Sequence, residues 1–362
     1  MRILYDGGAS QESGAGGIKR YFTNLISRLP QDFEPHLTTC RRADETAPSH
    51  PRLRVHRLPR FRPQRVSLKL EKAFFSRVEG SCKFDIAHPS YYTLLSQREV
   101  GQYQCPVVIT VWDMIHEIFP GFDPSGSFIA RKQRAIEAAD AILCISENTK
   151  RDLLERYKVD EARVSVTYLA ADLMPGHVDG AKNSPARPYF LYVGTRASYK
   201  NFHGLLSAFA DATTLAPEIM LNVVGPRFDS TEEQKLADLG LRERVKNFGA
   251  VSDTELATLY HHSVALVYPS LYEGFGIPPL EAMQCGTLVV AANRSSIPEV
   301  VGDAGILFDP QQPDALTDIL VHLARNPDAR QSYIERGYKR SKLFSWDKTA
   351  QQTVEVYQNL AP

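Results

Sequence analysis

Residues 271–283 read LYEGFGIPPLEAM, and two carboxylates, Glu273 and Glu281, bracket a glycine–phenylalanine–glycine turn and a proline pair. Carboxylates accept hydrogen bonds from hydroxyl groups and repel phosphate. Two of them at one loop therefore suit hydroxyl-rich partners such as a ribose and a sugar. The backbone of Gly274-Phe275-Gly276 can come close enough to an anion to donate N–H groups. Pro278-Pro279 suits the start of a helix that carries Glu281 about one turn in. Taken alone, Glu281 could equally be a first-turn acid complementing the helix dipole, with Glu273 an ordinary loop acid.

Two further loops carry the complementary chemistry. In VGTRASYKN (193–201), Arg196 and Lys200 follow the strand-like run FLYVG and precede a helix. A cation pair at a strand's carboxyl end, close to helix N–H groups, is well placed for a phosphate or diphosphate. In DGGASQESGAGGIKRY (6–21), Gly7, Gly8, Gly14, Gly16 and Gly17 crowd the link between a first strand and a first helix. The spacings G-x-G-x-x-G and G-x-x-x-x-G-K-[ST] are absent, so neither the dinucleotide fingerprint nor the nucleoside-triphosphate loop is supported. A surface loop would explain these glycines if they stood alone. His88, in FDIAHPSYY, sits at another strand end with Tyr91 and Tyr92, which could stack on sugar faces or belong to a packed loop.

The elements that must position these loops alternate along the whole chain. Strand-like runs at 2–6, 35–40, 53–58, 84–88, 107–113, 141–146 and 164–169 are separated by helix-like runs at 18–29, 66–78, 127–139 and 146–157. Ser146 is a natural N-cap for the last of these. Residues 174–188, MPGHVDGAKNSPARP, break the rhythm as an interdomain linker would. The alternation then resumes from 189 to 309 and closes with helices. Near-continuous apolar strands alternating with amphipathic helices call for parallel sheets covered on both faces. The expected fold is α/β, with two doubly wound Rossmann-like domains in tandem: residues 1–175, and 176–344. The closing helix SWDKTAQQTVEVYQNL, in the segment 345–362, could return to the first domain. Ligands of such sheets bind beyond the carboxyl ends of the strands, so two domains face to face would place one ligand between them.

Bulk properties narrow the function. With 362 residues the chain exceeds one typical core. Its formal charge is zero, so no global field favours nucleic acid. Five cysteines without paired spacing fit a reducing compartment and neither a disulfide framework nor a zinc site. MRILYDGG reads as a buried strand, not as a signal peptide, and no apolar run is long enough to span a bilayer. A cytoplasmic protein is expected, with attachment to the inner face of the membrane left open. From Arg52 to Arg77 nine basic residues face one acid, Glu71, with Phe61, Phe74 and Phe75 interleaved. That composition suits an anionic membrane surface; a solvated helix face would show it too.

Taken together, EGFGIPPLE, AMQCGTLVVAAN and SSIPEVVGDAGILFDP resemble glycosyltransferase family 4, of the GT-B fold. YVGTRASYKN, CISENTKRDLL, GGIKRYFTNLISRL and FDIAHPSYY extend the resemblance over most of the chain. The resemblance implies retaining transfer of a hexose from a nucleotide-sugar to a glycan or lipid-linked glycan acceptor. WDMIHE, GGIKRY and HPSYY look most like mannosyl and related O-antigen or capsule transferases, so GDP-mannose is the implied donor. Carried over position by position, it puts Arg196 and Lys200 on the donor diphosphate, Glu281 on the ribose and Glu273 by the transferred sugar. Gly274, Phe275 and Gly276 would line that sugar and phosphate, and Gly16 and Gly17 would approach the diphosphate from the other domain. No Asp-x-Asp pair occurs, so protein cations are expected to replace a divalent metal, and no cofactor is expected. The chain departs from the family at ITVWDMIHEIFP (109–120), where Trp112-Asp113 stands in place of His-Asp. His116 could take over, or Asp113 alone could serve acceptor or sugar. A nucleotide-sugar epimerase of the same fold would turn over donor without acceptor. A silent sugar-binding module would have no need of diphosphate cations.

Overall fold

The computed structural model describes residues 1–8, 16–41, 47–81, 83–173 and 187–361. The chain divides into two compact units, Met1–Leu169 with Ser345–Pro362, and Ala170–Phe344. The stretch read as a linker lies outside the described residues except for 187 and 188, as do Gly14 and Cys82. The remaining four cysteines are free thiols.

The first unit runs β1 (Arg2–Asp6), α1 (Gly16–Ser27), β2 (Glu34–Thr39), β3 (Arg54–Arg57), α2 (Gln64–Ser81), β4 (Ile86–Ala87), β5 (Val108–Val111), α3 (Ile115–Ile118), α4 (Ser127–Ala138), β6 (Ala141–Cys144), α5 (Glu147–Arg156) and β7 (Val164–Val166). Strands pair in the orders β3-β2-β1-β4 and β5-β6-β7. A parallel bridge between Ala87 and Val107 joins the two ladders. The apolar runs VITV and AILC are buried at every position, as strands covered on both faces must be. Ser146 caps α5 by accepting a hydrogen bond from the Thr149 N–H.

The second unit runs β8 (Tyr189–Val193), α6 (Phe202–Leu215), β9 (Met220–Val224), α7 (Ser230–Asp238), β10 (Val245–Gly249), α8 (Asp253–His262), β11 (Leu266–Tyr268), α9 (Ile277–Gln284), β12 (Val289–Ala292), α10 (Ile297–Val301), β13 (Gly305–Phe308), α11 (Pro313–Arg325) and α12 (Gln331–Ser341). Its six strands are parallel in the order β10-β9-β8-β11-β12-β13. The order reverses between β8 and β11, which marks the point where ligands of open α/β sheets bind. Phe190, Phe202, Phe209, Val290 and Leu320 anchor its core.

The last helix, α13 (Trp346–Leu360), belongs to the first unit. Trp346, Thr349, Ala350, Thr353, Val354 and Tyr357 form its buried stripe at helical spacing. Arg28 Nε meets Asp347 Oδ1 at 2.9 Å, and Thr349 Oγ1 donates to the Tyr168 carbonyl at 2.6 Å. Tyr357 Oη lies 3.2 Å from Tyr5 Oη and 2.5 Å from His88 Nδ1, while His88 Nε2 meets Thr110 Oγ1 at 2.9 Å. His88 is therefore a core residue with no exposed surface. It does not line an acceptor cleft, because both ring nitrogens are used inside the unit.

Burial pushes the His88 pKa down from 6.5 to about 3. Between those values the unfolded chain holds a proton that the folded one does not, so the histidine's contribution to stability is lost as pH falls from about 6.5 toward 3. Trp112 and Trp346 are the chain's two tryptophans and both lie in this unit, so their fluorescence isolates its unfolding. In urea melts below pH 6, the wild type should lose stability faster than His88→Gln by about 1.4 kcal/mol per pH unit. Parallel pH curves would show that His88 is charged in the fold.

Candidate active site

The candidate residues fall into two groups, one in each unit. In the second unit, Lys200 ends a short 3-10 turn after β8, and Asn201, at φ 53°, turns the chain into α6. Glu273 stands in the loop after β11, the neighbour of β8 at the strand-order reversal. Lys200 Nζ donates to both Glu273 carboxylate oxygens, at 2.7 and 2.8 Å. The ammonium lies 5.2 Å from the Tyr199 ring centre and 5.8 Å from that of Tyr268. Burial, and then the Glu273 charge and hydrogen bond, hold the Tyr268 phenol well above its usual pKa.

The loop that carries Glu273 is fixed from the β12–α10 connection. The Glu273 N–H donates to Ser295 Oγ at 2.8 Å, and Ser296 Oγ donates to the carbonyls of Glu273 and Phe275 at 2.9 and 2.8 Å. Gly276, at φ 118°, makes the left-handed entry into α9 that a side chain would resist. Phe275 is placed differently from the expectation that it lines a ligand: its ring is buried, edge-on to Phe344 with centroids 5.6 Å apart. The backbone of Gly274-Phe275-Gly276, with the Phe275 carbonyl taken by Ser296, forms the turn between Glu273 and α9. Glu281 is buried on α9 and accepts a hydrogen bond from Tyr260 Oη at 3.2 Å.

Arg196 is not an open cation. Its side chain is only 5% exposed. Nε and Nη2 grip Glu232, with 3.0 Å between Nη2 and Oε2. Nη1 and Nη2 donate to the carbonyls of Pro226 and Arg227, at 2.9 and 2.8 Å. The guanidinium also stacks 4.9 Å from the Phe228 ring centre. Arg196 thus ties the β8–α6 loop to the β9–α7 loop, while Lys200 is the cation that pairs with Glu273. Sequence reasoning missed Glu232, which is 36 residues away and looks like an ordinary capping-box acid of α7. It also missed an open cavity of about 690 Å³ at the ends of β9 and β10, lined by Gly225, Arg227, Phe228, Glu233, Asn247 and Phe248. Gly225 and Gly249, placed right at those strand ends, were its signal.

In the first unit, Trp112 is buried against Tyr21, edge-on at 5.1 Å. Asp113 follows, half-buried, with Oδ1 accepting from the Ile115 N–H at 2.9 Å at the start of α3. His116 lies on α3 with its ring 3.9 Å from that of Phe128, and its Nδ1 is buried with no partner among the described residues. Behind them sits Lys132 of α4, 1% exposed. Lys132 Nζ donates to the Asp113 carbonyl at 2.5 Å and pairs with Glu117 Oε1 at 2.9 Å; Tyr157 Oη donates to the same oxygen at 2.6 Å. This lysine ties the Asp113 carbonyl to Glu117 of α3. Its signal was a lysine in phase with buried Ala135 and Ile136 on the helix. Gly16 and Gly17 open α1 at the surface, and a Cβ on Gly16 would meet nothing within 4 Å, so packing does not require that glycine.

Residues 179–340 match the profile described as glycosyl transferases group 1, and residues 15–174 that of glycosyltransferase family 4. The chain belongs to glycosyltransferase family 4. O-antigen chain mannosyltransferase B of Escherichia coli is 32% identical to this family member over 246 residues, covering 62% of each protein. An O-antigen chain mannosyltransferase of Salmonella typhimurium is 29% identical over 223 residues, 59% of this chain and 61% of that protein. The chain spans about three fifths of the length of these curated relatives. Sucrose-phosphate synthase of Thermosynechococcus elongatus superposes with a TM-score of 0.79 at 22% identity, covering 99% of this chain and 98% of that one. HepE of Anabaena with UDP-glucose gives 0.76 at 18% identity, covering 99% and 100%. These likenesses establish the GT-B fold with its two Rossmann-like units.

Replacing Lys200 with methionine leaves Glu273 buried without its partner. Lys200→Met should lower the stability of the second unit by about 3 kcal/mol, and adding Glu273→Gln should restore most of it. Calorimetric unfolding of the single and double variants checks this; equal melting would mean that the pair does not couple.

Proposed function

We propose that this family 4 protein is a retaining hexosyltransferase acting in surface polysaccharide synthesis, with GDP-mannose as donor and a glycan or lipid-linked glycan as acceptor. The observation that carries the reading is the Lys200–Glu273 pair at the ends of β8 and β11. Two ammonium hydrogens are taken by the carboxylate and the third is left for a phosphate oxygen. The carboxylate in turn keeps acceptor capacity for a sugar hydroxyl. The names of the relatives, two of them O-antigen chain mannosyltransferases, support the sugar and the pathway class.

In this reading the bond between sugar C1 and the diphosphate oxygen breaks while the acceptor hydroxyl forms a new bond to C1 on the same face. The hydroxyl proton passes to the departing diphosphate. Negative charge grows on that group, and Lys200 with the backbone N–H groups of the 274–276 turn stabilises it; one such donor is worth about 3 kcal/mol. Glu281 receives the ribose hydroxyls, and the cavity beyond β9 and β10 receives the base. Arg196 positions the Lys200 loop through Glu232. The bare backbone of Gly16 and Gly17 offers anion contacts at the start of α1. Asp113 and His116 handle the acceptor. Protein cations meet the diphosphate charge without a divalent ion, in keeping with a chain that has no Asp-x-Asp pair.

No helix among the described residues is long and apolar enough to cross a membrane. The reading adds peripheral attachment to the inner face of the cytoplasmic membrane. All nine basic residues of Arg52–Arg77 are exposed, and so are Val55, Phe61, Val66 and Leu70 among them. Their mixture suits an anionic lipid surface. Arg60 has a second task, because its Nε bonds buried Glu71 at 3.1 Å.

A melting screen of nucleotide-sugars should single out GDP-mannose by the largest upward shift, and product formation should need an acceptor and keep the anomeric configuration. Donor turnover with no acceptor would turn the reading toward an epimerase. Arg62→Glu with Arg65→Glu and Lys69→Glu should abolish sedimentation with phosphatidylglycerol vesicles; unchanged sedimentation would leave the stretch a solvated face.

A further inference from the structure

The sheet of the first unit is covered unequally at its β2–β3 end. Side chains alternate along β2. His36, Thr38 and Cys40 are buried, with Cys40 under α2 against Phe75. Leu37 and Thr39, which point to the opposite face, are only half-buried, and Val55 on β3 is 52% exposed. Parallel sheets of this class normally bury both faces, so an apolar row left open is a departure that calls for an occupant.

The register shows what the row is. Tyr5, Leu37 and Val55 are paired partners on β1, β2 and β3, and Thr39 pairs with Arg57 nearer the carboxyl ends. Ile18, Phe22 and Ile26 of α1, at i, i+4 and i+8, supply the facing wall. Between them lies a cavity of about 520 Å³, within the range of sites that bury a small ligand. Among the described residues three cationic side chains also line it: Lys19 of α1, Arg41 just past β2, and Arg57, the last residue of β3. Asp6 is the single acid among the described lining residues. Its carboxylate is occupied by the N–H groups of Gly8 and Leu95 and by the Thr38 hydroxyl.

Hydrocarbon walls beneath a cationic mouth fit one kind of molecule, an amphiphile with an anionic head. A free sugar has neither part, and a nucleotide lacks the chain. We propose that this cavity takes the hydrocarbon chain of a lipid phosphate or diphosphate acceptor, whose head group meets Lys19, Arg41 and Arg57. The inference deepens the transferase reading and rests on it for the word acceptor. Along the chain, Val55 and Arg57 are followed by the exposed Arg60 and Arg62, which lead into α2.

Farnesyl diphosphate is a soluble probe of this chemistry, with inorganic diphosphate as the head alone and farnesol as the chain alone. In calorimetric titrations of the full chain, farnesyl diphosphate should bind at least tenfold more tightly than either part. Leu37→Trp, which fills the cavity, and Arg57→Glu, which reverses the mouth, should each weaken it at least tenfold. Val55→Glu replaces an exposed side chain, should melt like the wild type, and should show the same loss if Leu37→Trp misfolds. Binding no tighter than inorganic diphosphate, or binding that all three variants retain, would overturn the proposal. Parallel titrations with GDP separate the two readings. GDP binding without farnesyl diphosphate binding rejects the cavity alone. Farnesyl diphosphate binding without GDP binding upholds the cavity and rejects the donor assignment.

Discussion

An ammonium and a carboxylate, both largely withdrawn from water, meet across the two central strands of the second unit. Everything proposed for donor chemistry depends on how Lys200 and Glu273 are kept there. Removing two charges from water costs several kcal/mol each unless the geometry is good and further hydrogen bonds complete the site. The structure supplies both, through two short Nζ–O contacts and the Tyr268 hydroxyl. The loop around Glu273 is held by Ser295 and Ser296, and the loop before Lys200 by the Arg196–Glu232 pair. A site held from two neighbouring loops needs little rearrangement when charge develops, which is what electrostatic catalysis requires.

The first unit repeats the principle with different parts. Lys132 and Glu117 form a buried pair behind the loop that presents Asp113 and His116, and Tyr157 completes it. Trp112 packs into an aromatic cluster with Tyr21 and Phe22. Its indole adds apolar mass to the seat of α1. The same helix forms one wall of the open cavity, so its packing serves core and candidate ligand site together.

Much of this was legible in the sequence, because local rules govern it. The strand runs, the Ser146 cap and the entry into α9 at Gly276-Ile277-Pro278 follow from periodicity, capping and backbone freedom. So does the placing of Lys200 and Glu273 at strand ends. What was not legible depends on partners distant in sequence. Nothing near Arg196 says that Glu232 will occupy it, or that Tyr357 will close over His88. Phe275 reads as a ligand-lining aromatic until Phe344 is seen against its edge. Arg60 reads as one more basic residue until Glu71 is found on the buried side of α2. Lys132 is an intermediate case, since a lysine in the apolar phase of a helix announces a buried charge but not its partner.

The central claim is that Lys200, held by Glu273, grips the second phosphate of the donor. The most direct test is the ratio of GDP to GMP affinity, measured by calorimetry on the wild type and on Lys200→Met. The account requires a wild type that strongly prefers GDP and a variant whose preference falls at least tenfold while GMP affinity barely changes. An unchanged ratio would contradict it.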